Sequence, residues 1–214
     1  MSETAVLPRE IQQVQAPPIS ADEANDFIRD PYNVLWTTAD VDEMPDVEGV
    51  RFEILKGDII LSKQPNWEHQ AVCTKLIFEL QKWCELTKNG QVAAVPGVLF
   101  SKYDNVVPDV VWITNERLAR AKDEAGHLLE SPELMIEVIS YGKANIERDR
   151  ETKLEIYNRY GTDEYWIADW RSKRVQIHRR VNSILQLVAT RLGDEIIESP
   201  LLPGFNCPVS RFFN

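Results

Sequence analysis

The stretch Glu133-Leu-Met-Ile-Glu-Val-Ile-Ser140 governs the reading of this chain, because it is mostly apolar, on both side-chain parities, around the carboxylate in its middle, Glu137. Side chains alternate across a strand, so a strand with two apolar faces needs cover on both and belongs in the middle of a sheet. An ionised carboxylate in such a strand is costly to bury unless something pairs with it. Glu137 therefore calls for a partner.

Upstream, Val106-Val-Pro-Asp-Val-Val-Trp112 places Asp109 in an equally apolar run. Pro108 disfavours helical backbone at Val107 and removes one ladder donor, so a strand end or bulge is expected there, and such features re-aim side chains. Further upstream, Arg51 to Lys56 and Ile59 to Ser62 read as two strands around a Gly57-Asp58 turn, with Glu53 inside the first. From Asn66 to Lys88 the apolar residues Val72, Cys73, Leu76, Leu80, Trp83 and Cys84 recur at three and four, which predicts a long amphipathic helix ending at Asn89-Gly90. Strands are expected at 91–95, 98–101 and 106–113, with a short helix over 115–122.

Downstream of Ser140, residues 147–160 predict a helix stopped by Gly161, and strands come after it at 164–169, 174–179 and 184–189. Ser20 and Glu23 have capping-box spacing for a short helix with Ala24, Phe27 and Ile28 that ends before Pro31, and 32–49 reads as a loop. Residues 1–19, with Pro8, Pro17 and Pro18 among polar residues, read as a flexible arm ahead of one domain over 20–214. The mixed order predicts an α/β fold: a mixed central sheet flanked by helices, with an N-terminal hairpin and C-terminal strands.

With 214 residues, 43% hydrophobic and 27% charged, the chain suits one globular domain. No run approaches the roughly eighteen apolar residues of a membrane span, and Met1 to Gln15 lacks the basic-then-apolar order of a signal peptide, so a cytoplasmic protein is expected. Cys73, Cys84 and Cys207 are too scattered for a disulfide framework or a CxxC metal site and read as buried thiols. A net charge of −10 argues against a non-specific coat for nucleic acid, whose affinity comes from Lys and Arg displacing phosphate counterions.

If the Asp109 and Glu137 strands are neighbours and both carboxylates emerge at one end, they can share a hard divalent cation such as magnesium or manganese. Lys153 would add an electrophile. Hydrolysis of a phosphodiester builds negative charge in the transition state, and a metal ion with an ammonium group beside it lowers that barrier.

Val-Pro-Asp109-Val, Glu137-Val-Ile-Ser, and Asp149-Arg-Glu-Thr-Lys153 with Tyr157, Gly161 and Glu164-Tyr-Trp-Ile resemble the Uma-two family of endonucleases. That family belongs to the PD-(D/E)XK, restriction endonuclease-like superfamily. Arg51-Phe-Glu53-Ile-Leu-Lys-Gly57 and Pro65 with His69 extend the likeness from about residue 20 to the C-terminus. The resemblance implies a magnesium-dependent nuclease acting on DNA, with Asp109 and Glu137 as metal ligands, Lys153 as catalytic lysine, and Glu53 and His69 completing the site. The superfamily's usual lysine position, two residues after the second acid, is Ile139 here, and the family places the lysine at Lys153 instead. Relatives continue Glu-Val-x-Ser with Pro-Ser and a hydroxyl residue, whereas this chain has Ser140-Tyr-Gly-Lys143. A homodimer would match the two-fold symmetry of a duplex.

Each residue also has a plainer reading. Asp109 suits a turn or cap after proline. Glu137 suits a half-exposed strand. Asp149 and Lys153 are spaced for a surface helix ion pair. His69 suits a core histidine on the face of Val72 and Cys73, and Glu53 suits a cross-hairpin pair with Lys63. The run 171–180 contains Arg171, Lys173, Arg174, Arg179 and Arg180 with no acid: either a phosphate-contacting strip or an edge strand whose charges block strand addition. Trp166 and Trp170 read as packing, and His127 and His178 as loop and surface-strand residues. A binding or regulatory module without turnover, or a hydrolase of small phosphoesters, would also suit this fold.

Overall fold

The computed structural model describes residues 35–44, 51–62, 64–140 and 142–213. The expected arm over 1–19 and the helix near Ala24 lie outside the described residues. Within the expected loop, α1 (Thr38–Asp42) forms where Thr37 and Asp40 cap each other reciprocally, a capping box that the sequence pattern alone did not single out.

The hairpin is β1 (Arg51–Leu55) and β2 (Asp58–Ser62), paired antiparallel with Leu55 opposite Asp58. Its turn residues are Lys56 and Gly57, both at positive φ (56° and 85°), one position earlier than the sequence suggested. Two consecutive left-handed residues match the right-handed twist of the flanking strands. Then α2 (Trp67–Thr87) begins at Asn66, whose side chain accepts the His69 N–H at 2.8 Å. At its end Gly90 has φ 87°, and a Cβ there would lie 2.4 Å from the Ile113 carbonyl oxygen.

The strands β3 (Gln91–Ala94), β4 (Val98–Ser101), β5 (Asp104–Val106) and β6 (Val110–Ile113) come next, then α3 (Asn115–Ala121) and β7 (Leu134–Val138). The expected strand over 106–113 is broken into β5 and β6 by Val107-Pro108-Asp109. The crossover from β7 is helical from Lys143: α4 (Lys143–Glu147), a π-helical turn (Arg148–Thr152) and α5 (Lys153–Arg159). It delivers the chain to β8 (Glu164–Asp169), parallel to β7, and β9 (Arg174–Val181) and β10 (Ile184–Leu192) add antiparallel strands. The C-terminal pair β11 (Ile196–Ser199) and β12 (Leu202–Pro208), with α6 (Ser210–Phe213), had no counterpart among the elements expected from sequence.

The central sheet runs β10-β9-β8-β7-β6-β3, and a smaller sheet runs β2-β1-β5-β4. Alternation along the central strands sorts the core into two layers. Val110, Trp112, Leu134, Ile136, Val138, Trp166 and Ala168 face α2 and the C-terminal pair. Val111, Ile113, Met135, Ile139, Tyr165 and Ile167 face α5 and the small sheet. This two-sided cover is why every residue of β7 and β8 is buried, and it puts Glu137 on the side of the crossover helix and the small sheet.

Glu164 is fully buried on the opposite face and accepts from Trp166 Nε1 (2.6 Å), Arg179 Nε (2.7 Å) and Ser199 Oγ (3.0 Å). It fastens β9 and β11 to the sheet. Glu164→Ala leaves these donors unsatisfied and should lower unfolding free energy in urea by about 3 kcal/mol, the lower end for a broken buried pair because Arg179 reaches solvent.

Candidate active site

Each acidic residue reaches the site through a different local device. Glu53 lies mid-strand on β1, opposite Ile60, and its Oε1 accepts the Val107 N–H at 2.8 Å. Asp109 comes after Pro108 where the chain leaves β5 for β6, and its Oδ2 accepts the Val138 N–H at 2.8 Å at the end of the β6–β7 ladder. Glu137 comes from β7. His69, in the first turn of α2, sets Nε2 3.1 Å from Asp109 Oδ2, and its Nδ1 lies 3.6 Å from Cys73 Sγ.

Lys153 joins these groups. Its Nζ lies 2.9 Å from Glu53 Oε1 and 2.9 Å from Glu137 Oε1, and the residue is 1% exposed. The surface ion pair with Asp149 does not form, since Asp149 is equally buried and accepts from Arg148 Nε at 3.0 Å. In the π turn the Lys153 N–H reaches back five residues to the Arg148 carbonyl, which adds a residue to the turn and re-aims the side chains of α5. Tyr157, one helical turn beyond Lys153, donates its hydroxyl to Glu137 Oε1 at 2.6 Å. The alternative partner for Glu53, Lys63, lies outside the described residues; the partner observed is Lys153.

Glu53, His69, Asp109, Glu137 and Lys153 line one pocket of about 250 Å³ together with Arg51, Asn66, Asn145 and Arg148. Of these, Arg51, Asn66, Asn145 and Arg148 were not singled out from sequence, nor was Tyr157 given a role. The i, i+4 spacing of Lys153 and Tyr157 was the available signal for the tyrosine.

The basic run does not come to this pocket: none of its five residues lines it. It also occupies no edge, because β9 lies between β10 and β8. Arg179 is bound to Glu164 and the Glu198 carbonyl, and Arg180 donates to the carbonyls of Tyr157, Asn158, Thr162 and Ser183. Arg171 and Arg174 lie 3.7 and 3.8 Å from Asp169 carboxylate oxygens, and Lys173 sits exposed in the β8–β9 turn. His178, expected at the surface, is buried 6.0 Å from the Tyr165 ring.

Three buried carboxylates, Glu53, Glu137 and Asp149, and the partly buried Asp109 share two buried cations, Lys153 and Arg148. Burial pushes Glu53 up, but Lys153, Arg148 and the Val107 N–H outweigh it and hold the group below the ordinary carboxylate value. Asp109 is likewise held low against burial by His69 and the Val138 N–H. For Lys153, burial works against the charge, yet Glu137 and Glu53 keep its ammonium above the ordinary value. Glu137 is left in excess: burial, with Asp109, Asp149 and Glu53 adding to it and Lys153 only partly opposing, pushes it up to about 8.

Residues 38–210 match the Uma2 family, described as "Putative restriction endonuclease". With the mixed sheet and this site, the match defines a restriction endonuclease-like, nuclease-type α/β protein. The chain belongs to the Uma2 family. Its fold is also that of a solved structure from Anabaena variabilis described as a "putative nuclease belonging to DUF820", at 17% identity and TM-score 0.67, over 83% of this chain and 97% of the other. No curated protein matches the sequence. Among the described residues, no helix is long and apolar enough to cross a membrane.

From pH 4.5 to about 8 the folded chain keeps a proton on Glu137 that the unfolded chain has lost, so this stabilisation is full below pH 4.5 and gone once pH passes about 8. In chelator-treated protein the melting temperature should fall over that interval, and Glu137→Gln should flatten the profile. Equal slopes for both proteins in scanning calorimetry would assign the fall to other groups.

Proposed function

We propose that this protein is a divalent-metal-dependent endonuclease that hydrolyses phosphodiester bonds of DNA. The observation that carries the reading is the meeting of Glu53, Asp109, Glu137, Lys153 and His69, drawn from segments far apart in the chain, in one pocket. Asp109, Glu137 and Glu53 offer the oxygen donors that Mg2+ or Mn2+ prefers, and a cation would take the place of the proton that Glu137 otherwise keeps. When bound, the ion supplies Lewis-acid polarisation of the phosphate and a water of lowered pKa.

The chain's own groups supply the rest. Lys153 keeps a fixed positive charge at the pocket floor, where a phosphoryl group gaining negative charge is stabilised without reorganisation. Tyr157 fixes the orientation of Glu137, the Val138 N–H and His69 fix Asp109, and the Val107 N–H fixes Glu53. Groups whose positions are set before substrate arrives lose little freedom on the way to the transition state. A homodimer would carry two such sites about a two-fold axis, as cutting both strands of a duplex requires.

Supercoiled plasmid incubated with Mg2+ or Mn2+ should be nicked or linearised, and EDTA should stop the reaction. Asp109→Ala and Lys153→Ala should each reduce the rate at least about 100-fold, the usual effect of removing one transition-state-stabilising group. No cutting by the wild type, or cutting that survives both substitutions, would make the protein a binding or regulatory module on this fold.

A further inference from the structure

The nucleic-acid reading leaves a gap in charge. Lys153 is engaged by two carboxylates, and the basic run over 171–180 does not line the pocket, its Arg179 and Arg180 donating to internal acceptors. A polyanion must still be drawn into an acidic protein. Two arginines line the pocket itself, Arg51 at the start of β1 and Arg148 at the start of the π turn.

Arg148 is 9% exposed, and its Nε is held by Asp149, itself 1% exposed. That bond fixes the plane of the guanidinium. Among the described residues its two terminal amino groups have no hydrogen-bond acceptor, and the residue lines the pocket. Arg51 is half-buried, and among the described residues it forms no ion pair or side-chain hydrogen bond. Guanidinium groups present paired N–H donors that fit two oxygens of one phosphate.

We infer that Arg51 and Arg148 form a phosphate clamp, each donating to non-bridging oxygens of the nucleic-acid backbone as it crosses the pocket. The inference rests on the proposed nuclease function and names the part of the site that holds the substrate. The two arginines sit on different layers, β1 of the small sheet and the crossover of the central sheet, so the clamp closes across the join between them. Asp149 acts as a positioning residue, orienting Arg148 without touching substrate.

The test is binding of a fluorescein-labelled DNA duplex by anisotropy, in EDTA so that no cutting occurs, across a series of salt concentrations. Arg51→Ala and Arg148→Lys should each weaken binding about 10-fold, and Arg51→Ala should reduce the slope of log affinity against log salt by about 1, one phosphate contact. Arg148→Lys keeps the charge beside Asp149 and loses the paired donors, so its salt slope should hold while affinity falls. Lys122→Ala, an exposed lysine away from the pocket, should bind as wild type. Melting curves on the same samples check folding; Arg51 is half-buried and makes no ion pair among the described residues, so its substitution should leave the fold in place. Wild-type affinity and salt slope in both arginine variants, with metal-dependent cutting intact in all, would overturn the clamp and leave the nuclease reading standing. A wild type that neither binds nor cuts would overturn both.

Discussion

A single ammonium group held between two carboxylates, Lys153 between Glu53 and Glu137 at 2.9 Å each, is the constraint on which the rest of the molecule turns. The three residues come from the crossover helix, the small sheet and the central strand of the main sheet. Their charges cannot be buried singly, so the three layers are obliged to meet at one point. A buried pair adds little net stability, but removing one member strands the other and costs about 3–5 kcal/mol. The triad therefore fixes how the layers dock more than how firmly they hold.

Other polar contacts extend that constraint outward. Glu53 also takes the Val107 N–H, so the hairpin is tied to the segment that presents Asp109, and Asp109 in turn takes the Val138 N–H one residue beyond Glu137. His69 ties Asp109 to the start of α2, where Asn66 caps the helix. A charge excess is the consequence: the groups that set one another's positions include more carboxylates than cations. That imbalance is the physical basis for reading the pocket as a place for a divalent ion, and the two arginines that line it as a place for phosphate.

Much of this was legible in sequence. The two-parity apolar pattern around Glu137 gave a central strand, the three-and-four spacing from Val72 to Cys84 gave α2, and Pro108 marked where a strand would break. The site acids and Lys153 came from buried charge and from the family likeness together. The plainer reading of Lys153 failed because i, i+4 spacing on paper assumes a regular α-helix with that pair on its solvent face, whereas the segment opens with a π turn and both Asp149 and Lys153 are buried. The basic run shows a related limit: a cluster of arginines in sequence says nothing about the acceptors, such as Glu164 and the Thr162 carbonyl, that other elements bring to it. The C-terminal β11, β12 and α6 were missed because their apolar runs are short, interrupted by Gly and Pro, and gain their burial only in the tertiary fold, against α2 and the central sheet.

Sequence by itself determined which residues had to be inside, which strand lay at the centre, and that Asp109 and Glu137 needed a shared reason for their burial. These are local properties, set by side-chain alternation and by the cost of desolvating charge. Tertiary structure alone decided which cation answers which carboxylate, and which arginines line the pocket. Those outcomes depend on distances between segments some hundred residues apart, such as Glu53 and Lys153, and no pattern along one chain encodes a distance that only packing creates.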